Sequence, residues 1–254
     1  MSSEQKDILD YNVTLGALRV LLNTVLTEKQ VNIDFLKKYV AINKFDLVND
    51  SINFLEMLQI IKSSPKGELI PKISRNELSS LRATILNRMM VSTNPHVHYL
   101  TYFLDRFFSS QEMYYEQREV WRILVTARSH ANIRSPGEVL TFKFKLLIRH
   151  LKEFGLAITY KEIIIPVVDP SLILEIVKHM QFFKGSLYEF MSKLNDNYLP
   201  CYDIHRKPYT PLINSLEYLE KTGFVRLSSK SDAGLEYRIG EKGCNFLEVI
   251  SHEN

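Results

Sequence analysis

Apolar residues recur at steps of three along this chain and then switch to strand-like alternation, and the switch occurs three times. In INFLEMLQIIKSSPKGELIPKI the triplet is Ile52, Leu55 and Leu58. In LIRHLKEFGLAITYKEIIIPVV it is Ile148, Leu151 and Phe154, and in INSLEYLEKTGFVRLSSKSDAGLEYRI it is Ile213, Leu216 and Leu219. Residues so spaced share one helical stripe, so each triplet predicts a helix anchored on a core. Ile60-Ile61, Leu156-Ala157-Ile158 and Phe224-Val225 then begin strands, with Gly155 and Gly223 placed as helix stops. Turn residues follow in the first and third copies, Ser63 to Gly67 and Ser228 to Gly234, before ELIPKI and LEYRI resume the alternation. The middle copy, ITYKEIIIPVV, has little turn chemistry and gives the weakest hairpin signal.

Further helices are predicted upstream: Thr14 to Leu26 and Ile33 to Val40, then Gln117 to Arg128 with Trp121 in its apolar run, then Pro170 to Phe182 and Leu187 to Leu194. Two connecting helices intervene. SRNELSSLRATILNRMM opens with Ser74 and Glu77 at capping-box spacing, and NPHVHYLTYFLDRFFSS has Asn94 as N-cap and Pro95 at the first helical position. Tyr99, Tyr102, Phe103, Phe107 and Phe108 make the second connecting helix aromatic enough to need cover from its neighbours. The expected organisation is an N-terminal domain over 1–73, connecting helices over 74–110, a middle unit over 111–168 and a C-terminal domain over 169–254. The fold class is mainly α with small β-hairpins.

Helix, helix, helix, hairpin resembles the winged helix, a variant of the helix-turn-helix. The likeness is strongest in the C-terminal domain, where SLYEFMSKL, LEYLEKTGFV, the wing RLSSKSDAGLEYRI and a closing helix EKGCNFLEVI fall in the expected order. The resemblance implies tandem winged-helix units whose third helices are the candidate nucleic-acid readers.

Composition changes this picture little. The 254 residues, 45% hydrophobic and 24% charged, suit an ordinary globular chain, and the net charge of +3 confines any phosphate-binding surface to a local patch. Cys201 and Cys244 make neither a disulfide framework nor a zinc site and read as packed, reduced thiols. The polar start MSSEQKDILDYN lacks a signal sequence, and no apolar run is long enough to span a bilayer, so a cytoplasmic or nucleoid location and no membrane partner are expected.

The outward faces of the three unit helices differ in charge. The first carries Asp46, Asn49, Asp50, Asn53 and Glu56, an acidic face that would repel phosphates and suits a protein interface, as do the aromatic Tyr102 and Phe107. The second carries Lys145, Arg149 and Lys152 at i, i+4 and i+7, with Arg128 and Arg134 as possible additions. A solvated basic face has the same pattern. The third is mixed: Asn214 and Tyr218 can read base edges, with Arg206 and Lys207 before the helix and Arg226 and Lys230 in the wing.

Catalytic chemistry is thin. His96 and His98 cannot share a helical face, and Asp232 with Glu236 and Arg238 only loosely resembles a nuclease carboxylate pair. No phosphate-binding glycine loop or nucleophile elbow occurs. No cofactor or metal site is expected.

These features suit a non-enzymatic adaptor that touches double-stranded DNA weakly and without sequence preference while binding a protein partner. In architecture it is similar to the tandem winged-helix accessory subunits of SMC-type ATPases, which would make that partner a large ATPase. The alternative is a sequence-specific transcription regulator or replication initiator, with a homodimer formed through the aromatic connecting helices.

Overall fold

The computed structural model describes residues 6–28, 30–39, 45–109, 113–133, 137–181 and 183–250. Within them the chain is mainly helical, with antiparallel sheets of two or three strands. None of their helices is long and apolar enough to cross a membrane.

A short 3-10 turn, Ile8–Asp10, precedes α1 (Leu15–Thr27), which starts where Thr14 Oγ1 accepts the Ala17 N–H. Next come α2 (Ile33–Tyr39), α3 (Phe45–Met57) and the hairpin β1 (Ile61–Ser63)/β2 (Leu69–Pro71). Asn32 bridges Glu68 beside β2, laying a third extended segment along the hairpin. The predicted connecting helix is two helices, α4 (Arg75–Ser79) and α5 (Leu81–Met90). Ser74 and Glu77 form the capping box, but buried Ser80 leaves the helical region (φ −119°, ψ 49°) and its hydroxyl donates back to the Asn76 carbonyl. In α6 (Pro95–Phe108), Asn94 is the N-cap and Pro95 occupies the first turn.

The same order then recurs with an explicit first strand. β3 (Tyr115–Glu116) leads into α7 (Gln117–His130), α8 (Gly137–Glu153), β4 (Ala157–Tyr160) and β5 (Ile163–Pro166), and the sheet runs β3-β5-β4. The middle hairpin therefore forms. Its turn is only Lys161 and Glu162, with Lys161 at φ 53° where glycine is the usual signal. The chain continues with α9 (Pro170–His179), β6 (Lys184–Ser186), α10 (Leu187–Asn197), α11 (Thr210–Lys221), β7 (Val225–Ser228), β8 (Tyr237–Ile239), β9 (Lys242–Cys244) and β10 (Phe246–Val249). Its sheet runs β6-β10-β7, again with the last strand in the centre, while β8 and β9 pair separately.

This last region corrects two expectations. EKGCNFLEVI is not a closing helix but the strands β9 and β10, and LEYRI pairs with β9 rather than with β7. Gly243 and Asn245 are poor helix formers. Asn245 accepts the Lys230 N–H and donates to the Lys230 carbonyl, both at 2.8 Å, and so pins the returning chain across β7.

The three repeated helices stop in one way. Gln59, Gly155 and Gly223 sit at φ 55°, 75° and 80°, and the following N–H groups of Ile60, Leu156 and Phe224 donate to the carbonyls of Leu55, Leu151 and Leu219 at 2.8, 2.7 and 2.9 Å. This left-handed cap turns each helix directly into its strand. In the first copy a glutamine takes the strained position, so that stop carries no glycine signal. Ile52, Leu55, Leu58, Leu151, Phe154, Leu216 and Leu219 are buried, as their spacing predicts, and belong to one core that runs through all three units.

Polar contacts tie the units together. Asp7, just before the 3-10 turn, is 1% exposed and is ion-paired to Arg128 of α7, while Lys143 of α8 reaches Asp7 at 3.4 Å and Asp10 at 2.6 Å. Tyr99 of α6 donates its hydroxyl to Asp7 at 3.0 Å, and burial first, then the Asp7 charge, pushes that phenol well above its ordinary pKa. On the other side Arg82 of α5 contacts Glu175 at 2.8 Å and Asp169 at 3.1 Å, joining the connecting helix to α9. Burial raises the Asp169 carboxyl, but hydrogen bonds from Ser171 and the charge of Arg82 outweigh it, so the net shift is downward. Ser215 of α11 donates to the Val168 carbonyl, joining the middle and last units.

Two stability outcomes follow from these contacts. A Cβ at Gly155 would lie 2.6 Å from Asp169 Cβ, whereas one at Gly223 meets open space. Gly223→Ala is expected to cost about 1–2 kcal/mol for the left-handed backbone alone, and Gly155→Ala clearly more, as read from urea unfolding midpoints. Arg128→Ala, which leaves a buried carboxylate without its guanidinium, is expected to cost about 3–5 kcal/mol. Adding Asp7→Asn to the same chain should cost less than the two single changes summed.

Candidate nucleic-acid interface

α8 is amphipathic, and its outer face is the most basic of the three unit helices. Leu146, Leu147 and Leu151 point into the core, while Lys145 and Lys152 are exposed. Arg149 between them is only half exposed, because its guanidinium turns toward the N-terminal segment and donates to Asn12 Oδ1. The expected stripe of three cations is thus two solvent-facing lysines flanking an arginine held by the chain itself. Arg128 is a correction: it is 2% exposed and spent on Asp7, so it is unavailable to a ligand. Arg134 lies outside the described residues.

The equivalent helix of the first unit does not present a free acidic face. Asp50 accepts the Asn12 N–H at 2.9 Å, and Glu56 accepts the Ser63 N–H at 3.0 Å and its hydroxyl at 2.5 Å. The side chain of Asp46 lies outside the described residues. Of the two aromatic interface candidates, Tyr102 is half-buried, stacked 4.7 Å from His130 and overlain by Arg106. Phe107 is a correction, being fully buried between Phe103, Phe108 and Tyr115.

In the last unit Asn214 and Tyr218 are exposed on α11, and Lys221 beside them is paired with Glu217 at 2.6 Å. Arg206 and Lys207 are exposed, with Arg206 lying over the Tyr188 ring. In the wing, Arg226 faces Glu248 at 3.8 Å and Lys230 lies over Phe246. The cations of this unit are therefore mostly engaged locally. Among the described residues no group of three or more His, Cys, Asp or Glu is placed to hold a metal ion. Both cysteines are buried free thiols, and burial raises Cys201 well above its ordinary pKa and Cys244 to about 11.

A groove of about 480 Å³ separates the middle and last units, bordered by Lys152, Ile158, Pro166, Pro211, Asn214 and Tyr218. It brings together residues from the two basic or mixed helix faces that the sequence treats separately. Ile158, 55% exposed on β4, is a surface residue the spacing does not flag as functional. Lys143 carries one legible signal: it stands four residues before Leu147 and eight before Leu151, on the apolar stripe where a cation needs a buried partner.

No family model, curated protein or solved structure matches this chain.

His150, on the inner side of α8, links this helix to the N-terminal segment. Its ring sits edge-on to Phe54 at 5.9 Å and its Nε2 has no hydrogen-bond partner among the described residues. Burial, helped by the Arg149 charge and opposed by a hydrogen bond to the Tyr11 carbonyl, pushes its pKa down from 6.5 to about 4. The unfolded chain therefore holds the extra proton through the window from 6.5 down to about 4, and folding stability falls as pH drops across it. His150→Gln is expected to flatten that fall by up to about 3 kcal/mol, measured as urea unfolding free energy against pH.

Proposed function

We propose that the three units are winged helices and that the chain is a non-enzymatic adaptor, which meets duplex DNA through α8 and carries a protein partner on other surfaces. The observation that supports this reading most is the pairing of a repeated helix–strand–helix–helix–hairpin order with unequal helix faces. Only in the middle unit does the outward helix face offer two exposed lysines without a local acidic partner among the described residues, Lys145 and Lys152. The helix of the first unit is tied down through Asp50 and Glu56, and Lys221 of the last is paired with Glu217.

Two lysines reaching phosphates give weak, sequence-independent binding that depends on salt. They offer no bidentate reading of base edges, which suits an accessory role better than operator recognition. The protein partner is expected to be a large ATPase, on architectural analogy alone.

Fluorescence anisotropy with a labelled mixed-sequence duplex tests the DNA contact. Lys145→Glu with Lys152→Glu is expected to abolish most binding, and neutralising the same two positions should reduce the log–log salt slope by about two units. Tight binding to one defined sequence that ignores these changes would instead identify a regulator or replication initiator.

A further inference from the structure

The groove between the middle and last units has the character of a ligand site rather than of a seam. Its walls are mainly apolar, with Ala157 and Ile158 of β4, Pro166 at the end of β5, Val167 and Val168 after it, Pro170 at the start of α9 and Pro211 of α11. Two of its polar groups are already satisfied from within. Asp169 is held by Ser171 and Arg82, and the Ser215 hydroxyl is bonded to the carbonyls of Val168 and Pro211.

The side chains of Lys152, Asn214 and Tyr218 remain. They make no hydrogen bond or ion pair among the described residues, and all three are exposed at the groove. An apolar trough with a few converging polar groups is the usual composition of a binding site, and about 480 Å³ lies within the ordinary size range for one.

The same chemistry selects the occupant. A duplex is far too wide to enter such a space and gains little from Ile158 and three prolines. The Asn214 carboxamide has one donor side and one acceptor side, matching a peptide bond, and the Tyr218 hydroxyl can serve as either. Asp169 and Glu175 are matched by Arg82 and Arg19, so the Lys152 ammonium is left as the unbalanced charge at the groove. We propose that this groove binds a short extended peptide segment of a protein partner, with an apolar side chain seated against Ile158 and the prolines and a neighbouring Asp or Glu directed to Lys152. This assigns Asn214 and Tyr218 to peptide recognition instead of base reading. It rests on the adaptor reading only for the existence of a partner; Lys152 is shared with the DNA contact, whereas Lys145 lies outside the groove and belongs to that contact alone.

The test is selection of a phage-displayed library of short random peptides on the full chain, followed by fluorescence polarisation with the best selected peptide. Enriched peptides are expected to share an apolar residue beside an acidic one. Their affinity should fall about tenfold or more in Ile158→Asp and in Asn214→Ala, while Lys145→Glu leaves it unchanged. Ile158 and Asn214 are both exposed, so neither change removes core packing. No consensus beyond that selected by the Ile158→Asp protein, or peptides indifferent to both changes, overturns the proposal. So does loss of duplex binding in Ile158→Asp, which would give the groove to nucleic acid. Failure of Lys145→Glu to weaken duplex binding, with peptide capture intact, would reject the DNA contact and leave the groove assignment standing.

Discussion

The buried ion cluster at Asp7 is the contact on which the arrangement of the first two units depends. Two carboxylates, Asp7 and Asp10, meet one guanidinium and one ammonium, so the formal charges of the group cancel. Burying any one of the charges of Asp7, Arg128 and Lys143 alone is prohibitive. Burying the three together is tolerable only because each has its partners, with Asp10 balancing Lys143 from the partly exposed edge of the group. That condition fixes where the N-terminal segment lies against α6, α7 and α8. The apolar residues between the charges, Ile8 and Leu9, are then carried into the core with no exposure to solvent beyond 1%.

From this anchor the segment controls what α8 presents. Asn12 takes up Arg149 and Asp50 takes up the Asn12 backbone, so one residue ties α8, the helix before the second unit's hairpin, to its counterpart α3 in the first. Glu153 accepts the Leu15 N–H at the end of the same helix. The outward face of α8 is therefore set by contacts on its flank as well as by the leucines beneath it. That explains why adjacent basic residues on one stripe end in different environments.

Much of the local structure was legible in the residues. Periodicity placed the repeated helices, Ser74, Glu77, Asn94 and Pro95 marked their starts, and Gly155 and Gly223 marked two of three stops. What escaped was set by tertiary partners. Gln59 and Lys161 adopt left-handed backbone without being glycine, and EKGCNFLEVI becomes strand because β6 and β7 on either side offer it edges to pair with. Arg128 looked exposed because a cation near a helix end usually is. Its counter-ion lies 121 residues away in the sequence, and no local pattern reports such a distance. Phe107 shows the converse, since an aromatic-rich helix face looks like an interface until the helices that cover it are known.

The contacts between units close on themselves. The N-terminal segment joins the first unit to the second, Ser215 joins the second to the third, and Arg82 with Asn87 joins the region after the first hairpin to α9 and the end of α10. A string of domains linked only in series bends wherever one junction gives way. A closed triangle does not, because opening any side requires the other two to deform. The chain consequently behaves as a gauge of fixed span between α8 and α11, and whatever touches both must take its shape from the protein.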